Sequence, residues 1–149
     1  MGQVGLFYRF FTWFRRREEV QAPVEKEERR SFFIYIMKTP EIVTYLRREK
    51  GIAMRKLELT LIDDENRPAY QVAQIAELLM KDLNFFCLLT ERAEAFEELV
   101  EEAMEEHGLL MVLRSREEGQ VPGNLTLDVG EWEKQLDIVS AVGYNTLTI

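Results

Sequence analysis

The chain has 149 residues, of which 46% are hydrophobic and 31% are charged, and its formal net charge is −8. This length and composition are typical of one globular domain, which excludes a collagen, a coiled coil and a disordered protein. The single cysteine, Cys87, and the single histidine, His107, exclude an intrachain disulfide and a zinc site built from cysteine and histidine.

The charge is distributed unevenly along the chain. Residues 1–17 contain four arginines and no acid, whereas residues 31–149 carry a net charge of −10. An acidic body of this size repels a phosphate backbone, so we expect no nucleic-acid partner. Residues 18–30 contain Pro23, five glutamates and few apolar side chains, which is typical of a charged linker.

Residues 4–17 are predicted to form an amphipathic helix, with the apolar side chains on one face and Arg9 opposite them. Aromatic and basic residues in this arrangement are typical of a helix that lies at a lipid headgroup surface, and the stretch is too short to span a bilayer. The predicted membrane-binding residues are Phe7, Phe10, Phe11, Trp13, Phe14, Arg15, Arg16 and Arg17. The alternative is an apolar helix that packs on the domain or on a partner protein.

Residues 31–149 are predicted to form an α/β domain in which strands and helices alternate. The predicted strands are apolar or alternating runs at residues 31–37, 56–62, 84–89, 109–113 and 144–149. The predicted helices begin at Thr39 and Pro40, at Pro68, at Thr90, and at Asp128 or Gly130. The polar residues 116–126 predict a loop. Strict alternation with short connections predicts a mostly parallel, five-stranded sheet in a three-layer, flavodoxin-like arrangement.

Two acids follow the second predicted strand, and they are the sharpest feature of the domain. Ligands of open parallel sheets bind beyond the carboxyl ends of the strands, where Asp63 and Asp64 lie. Their carboxylates predict a candidate Mg²⁺ site, and the alternative is a solvated polar turn. The sequence has neither glycine-rich nucleotide motif, and we expect no cofactor.

The stretch LTLIDDENRPAYQVAQIAELL resembles the first strand, acid pair and first helix of response-regulator receiver domains. A looser similarity continues through FFCLLTERAEAFEELVEE and LLMVL. In that family a later strand ends in the phosphorylated aspartate, whereas here the corresponding strand ends in Leu113, Arg114 and Ser115. The resemblance therefore implies a degenerate receiver-like regulator that is controlled by binding rather than by phosphorylation.

Glutamates crowd the helix that follows Thr90, and neighbouring glutamates on a helix repel each other. This pattern predicts either a solvated helix face or a docking surface for a basic partner. The predicted partner-binding residues are Glu94, Glu98, Glu101 and Glu105. His107 is predicted to cap this helix, and Cys87 to be an inert core thiol.

Together these features predict a non-enzymatic adaptor or scaffold subunit of a bacterial membrane-associated complex. We expect a cytoplasmic protein, peripheral at the inner face of the membrane, that binds lipid through residues 4–17. Its partner would be another protein or a second copy of the chain. The alternatives are the degenerate receiver-like regulator and a small flavodoxin-like enzyme.

Overall fold

The computed structural model describes residues 23–142. Its helices and strands, in chain order, are α1 (Pro23–Glu49), β1 (Glu58–Ile62), α2 (Ala69–Leu79), β2 (Phe85–Leu89), α3 (Glu97–His107), β3 (Met111–Arg114), β4 (Leu125–Asp128) and α4 (Trp132–Val142). The four strands form one parallel sheet in the order β3-β2-β1-β4. The predicted α/β class and parallel sheet are therefore confirmed.

The sheet has four strands within residues 23–142, where the sequence predicted five over the whole domain. Residues 31–37, the first predicted strand, are part of helix α1 instead. Strand β4 was missed, because its four residues fall at the end of the polar stretch that predicted a loop. The predicted strand at residues 144–149 lies outside the described residues, as does the predicted helix at residues 4–17.

Residues 31–37 are helical because their buried side chains continue a helical pattern beyond the apolar run. The buried positions of α1 recur every three or four residues and lie on one stripe: Phe32, Tyr35, Ile36, Thr39, Ile42 and Val43. The six consecutive apolar residues from Phe32 to Met37 fit a buried strand and a buried helix equally well, and only a longer window distinguishes them. The same helix includes residues 23–30, which were predicted to be linker.

Pro40 lies inside α1, at a position where proline normally interrupts a helix. Proline has no N–H to donate to the carbonyl four residues earlier, which here belongs to Ile36. The hydroxyl of buried Thr39 donates to this carbonyl over 2.8 Å. The free acceptor is thus satisfied within the helix, and α1 continues to Glu49.

The described helices pack on one face of the sheet. Alternate strand residues, including Leu59, Leu61, Phe86 and Leu88, share one apolar cluster with side chains from all four helices. The opposite face is crossed by the connection between β3 and β4, where the Thr60 hydroxyl donates to a main-chain carbonyl. The part of the chain described here therefore shows helices on one face only, and a second helical layer does not appear in it.

Gly123 allows the β3–β4 connection to approach the sheet closely. Its φ is 86°, in the left-handed region that favours glycine. A Cβ at this position would overlap the carbonyl oxygen of Glu58. Asn124 then fastens the connection to the start of β1, donating to the carbonyl of Lys56 and accepting from the Glu58 N–H.

Candidate functional site

The carboxyl ends of β1 and β2 place Asp63 and Thr90 side by side. The sheet hydrogen bonding continues one residue beyond each strand, because the N–H of Asp63 donates to Leu89 and the N–H of Thr90 donates to Arg114. From β1 to β3 each new strand is added on the same side of the sheet, whereas β4 is added on the other side of β1. The order of the strands therefore reverses at β1. Such reversal points are where open α/β sheets usually bind ligands.

The Asp63 carboxylate is buried and fully engaged by neighbouring side chains. Its exposed fraction is 1%. Arg92 donates to both oxygens, over 2.8 Å from Nε and 2.9 Å from Nη2, and the Thr90 hydroxyl donates to Oδ2 over 2.7 Å. A buried carboxylate needs such partners, since removing a charge from water is costly.

Arg92 also holds the turn that follows β1. Its Nη2 donates to the main-chain carbonyls of Asp64 and Arg67, over 3.1 Å and 2.8 Å. The hydrogen bond to Asp63 raises the pKa of the guanidinium further above its already high value. Arg116 donates to the main-chain carbonyl of Asp63. We call Asp63, Thr90, Arg92 and Arg116 the Asp63 network.

The predicted Mg²⁺ ligands have other contacts in this structure. Asp63 accepts from Arg92 and Thr90, and a side-chain oxygen of Asp64 accepts from the N–H of Asn66 in a tight turn. Within residues 23–142 no three histidine, cysteine, aspartate or glutamate side chains converge to hold a metal. Magnesium binding at Asp63 and Asp64 stays a prediction.

Ser115 and Glu91 form a second, exposed contact at the same edge. The Ser115 hydroxyl donates to Glu91 over 2.6 Å, and the N–H of Arg116 donates to the other carboxylate oxygen over 2.9 Å. These two donors lower the pKa of Glu91. A carboxylate stabilised in this way is a weak base, so it activates the serine poorly as a nucleophile.

The predicted partner-binding glutamates Glu94, Glu98, Glu101 and Glu105 are all exposed. Glu94 lies in the short turn of 3-10 helix before α3, and the other three lie on α3. Helix α3 contains six glutamates and no lysine or arginine. Gly108 ends it in the left-handed conformation, directly after His107.

The sequence analysis missed a buried glutamate on the neighbouring helix. Glu77 on α2 has an exposed fraction of 4%. Burial, then a side-chain hydrogen bond with Glu102, and then the charges of Glu102 and Glu106 raise its pKa to about 9. The signal in the sequence is the interruption of the apolar stretch of α2 by Gln71, Gln74 and Glu77, which are all buried.

Helices α1 and α4 enclose an acidic groove of about 300 Å³. Its lining residues are Glu27, Glu28, Ser31, Trp132, Glu133, Leu136 and Asp137. Trp132 is buried and packs edge-on against Phe32 with 5.2 Å between ring centroids. The guanidinium of Arg67 lies 3.7 Å from the Phe32 ring centroid and pairs with Glu28.

Cys87 is buried, as predicted, but it lies on the opposite face of the sheet from the apolar cluster. Burial raises the pKa of its thiol, which keeps it protonated and unreactive near neutral pH.

The predicted membrane-binding residues, Phe7 to Arg17, lie outside the described part of the chain. Among the helices of residues 23–142, none is both long and apolar enough to cross a bilayer. Comparison of the chain with protein-family models, curated proteins and solved structures finds no match.

Proposed function

We propose that this protein is a non-enzymatic adaptor that binds the inner surface of a bacterial membrane through residues 4–17 and recruits a protein partner through its α/β domain. The Asp63 network carries the non-enzymatic part of this proposal. It lies where α/β enzymes usually place reactive groups, yet its buried carboxylate is paired with a guanidinium and a hydroxyl. Such an arrangement stabilises the edge of the sheet rather than offering a free acid or base.

The membrane part of the proposal rests on the composition of residues 4–17. Five large apolar side chains, Val4, Phe7, Phe10, Phe11 and Phe14, would share one helix face, and three consecutive arginines end the segment. Near an anionic lipid surface each basic residue contributes about 1 kcal/mol of binding free energy. The inner leaflet of bacterial membranes would supply the anionic lipid, in a cytoplasmic, peripheral location.

The partner-binding part rests on the exposed glutamates of α3. A surface of one charge attracts a partner of the opposite charge and raises its association rate. The proposed partner is therefore a protein with a basic docking surface, either a different protein or a second copy of this chain.

Flotation of the full chain with liposomes tests the membrane proposal. We expect binding to vesicles that contain an anionic lipid, weaker binding in high salt, and little binding to neutral vesicles. Replacing Arg15, Arg16 and Arg17 by glutamine should weaken partitioning about 100-fold, from roughly 3 kcal/mol of lost attraction. The matched control replaces three exposed bases of the body, Lys50, Arg55 and Lys56, by glutamine. Equal losses in both variants would refute a specific role for residues 4–17.

A receiver-like regulator is the second candidate, favoured by Asp63 and Asp64 directly after β1. The strand order counts against this candidate, because the third strand of a flavodoxin-like sheet lies beside the first, whereas β3 here lies beside β2. This second candidate includes the prediction that residues 144–149 form the fifth strand of a flavodoxin-like sheet. Addition of Mg²⁺ should then shift the amide NMR signals of Asp64 and Asn66, and unchanged signals at millimolar Mg²⁺ would exclude this candidate.

A further inference from the structure

Strand β3 lies at one side of the sheet, and its outer edge has no protective feature. In the described part of the chain β2 is the strand that pairs with β3, and no described strand pairs with the outer edge of β3. Natural sheets usually guard such an edge with lysine, proline or a bulge, because its main-chain donors and acceptors can pair with another chain. Met111, Val112 and Leu113 supply none of these features. The edge is therefore suited to the addition of another strand.

Apolar side chains flank the β3 edge on both faces of the sheet. On the helical face, Met104 of α3 has an exposed fraction of 48%. It lies about 200° around the helix from Glu102. Since Glu102 faces Glu77 of α2, Met104 points away from α2 and towards the outer side of β3. On the opposite face, Leu110 is 67% exposed and Val112 is half-buried. A strand added at this edge would cover apolar side chains on both faces.

The strand at the other side of the sheet, β4, is better covered. Leu125 and Leu127 have exposed fractions of 2% and 0%, whereas Val112 and Leu113 of β3 are only half-buried. Helix α1 packs against α4 and also contacts β4. The described structure therefore favours β3 over β4 as the edge that pairs with another chain.

The flank of α3 beside the β3 edge is complementary to itself. Glu97, Val100, Met104 and His107 recur at spacings of three and four residues, so they lie on one stripe of the helix. The stripe has an acid at its first turn, a histidine at its last turn and apolar side chains between them. A two-fold axis turns one stripe antiparallel to the other, so each acid meets a histidine and the apolar side chains meet each other. A second copy of the chain is the partner that this stripe fits.

We propose that two copies of this chain form a dimer in which their β3 strands pair antiparallel, so that both sheets become one continuous sheet. This inference rests on the proposed function, because it selects the second copy among the two kinds of partner proposed for the domain. The dimer carries two copies of residues 4–17. Two linked membrane-binding segments bind a surface more tightly than one, because the second contact is made at a high effective concentration.

Sedimentation equilibrium of the full chain without lipid tests the dimer. We expect the wild type to have twice the mass of one chain. Val112→Lys places a charge in the middle of the β3 edge and should weaken dimerisation by about tenfold or more. The matched control is Thr126→Lys, because Thr126 is exposed at the middle of β4, in the same row across the sheet as Val112, Cys87 and Thr60. A monomeric wild type, or equal effects of the two lysines, would overturn the proposal.

Two further variants keep the test valid if Val112→Lys disturbs folding. Leu110→Lys changes an exposed side chain, so the chain should fold normally and still dimerise more weakly; unchanged dimerisation would contradict the proposed interface. Glu97→Lys sets a lysine against His107 of the partner subunit and should also weaken the dimer. Adding His107→Glu to the same chain should restore the lost affinity, because the charges are then exchanged between the two ends of the stripe. A double variant as weak as Glu97→Lys alone would refute the antiparallel contact.

Liposome flotation separates this inference from the membrane proposal. If the chain binds anionic vesicles but sediments as a monomer, the membrane proposal stands and this inference fails. If Val112→Lys breaks a dimer but the wild type does not float, the dimer stands and the membrane proposal fails. If both hold, Val112→Lys should also bind vesicles more weakly than Thr126→Lys, since each particle then carries a single membrane-binding segment. Association through residues 4–17 themselves would be equal in these two variants and would overturn the inference.

Discussion

Replacing Glu77 by glutamine should stabilise the protein, and increasingly so as the pH rises. The folded state holds the pKa of Glu77 at about 9, against 4.5 for the ordinary side chain. Below pH 4.5 the carboxyl is protonated in both the folded and the unfolded state, so it has no net effect. Above pH 4.5 the unfolded chain releases the proton while the folded chain keeps it, and the wild-type free energy of unfolding falls by about 1.4 kcal/mol per pH unit.

Glutamine cannot ionise and has nearly the same shape, so the variant lacks this pH dependence. Between pH 4.5 and pH 7 the difference in the free energy of unfolding should grow from near zero to at most about 3.4 kcal/mol, given a folded pKa of about 9. Urea denaturation at half-unit steps of pH measures it. Glu105→Gln is the control, because it removes one exposed α3 charge and should change stability by only a few tenths of a kcal/mol. Parallel pH profiles for the wild type and Glu77→Gln would refute the reasoning.

Three further substitutions test other contacts by urea denaturation. Arg92→Ala should cost about 3 kcal/mol, because it leaves the buried Asp63 carboxylate unpaired; adding Asp63→Asn should recover part of this loss, and a purely additive loss would argue against the ion pair. Thr39→Val should cost about 1 kcal/mol, since Ile36 loses its donor; the cost should shrink in a Pro40→Ala background, where a main-chain N–H replaces the hydroxyl, and an unchanged cost would contradict this assignment. Gly123→Ala should cost about 2 kcal/mol through strain and overlap with the start of β1, and a neutral effect would show that the connection can move away.

Much of the sheet could be predicted from the sequence, because three strands are marked by short apolar or alternating runs, two of which are followed by helix-start signals. Strands β1, β2 and β3 fall where those runs predicted them, to within two residues. Residues 31–37 were mistaken for a strand because residues 32–37 are all apolar. The buried positions that reveal the helical spacing continue beyond this run, to Ile42 and Val43. Strand β4 was missed because four residues between Pro122 and a helix are too few to show a period of two.

The site was predicted in part, since Asp63 was identified by its place at the end of a strand. Its partner Arg92 lies 29 residues away in sequence, and only the pairing of β1 with β2 brings the two together. The sequence could not show that Glu77 lies near Glu102 and Glu106, because helical spacing relates residues within one helix and not residues on two neighbouring helices.

The order of the strands has a consequence for how the chain is made. Strands β1, β2 and β3 are consecutive neighbours, so each can join the sheet soon after it leaves the ribosome. Strand β4 pairs with β1 across 66 residues, as in the contact between Leu59 and Leu125, and it follows the connection that crosses the opposite face of the sheet. During synthesis one edge of β1 therefore stays open while the whole of α2, β2, α3 and β3 is added. Lys56 and Glu58 lie at the start of that edge, and charged residues at an exposed edge disfavour pairing with another chain. In the folded protein Asn124 closes the edge through hydrogen bonds to the main chain of both residues.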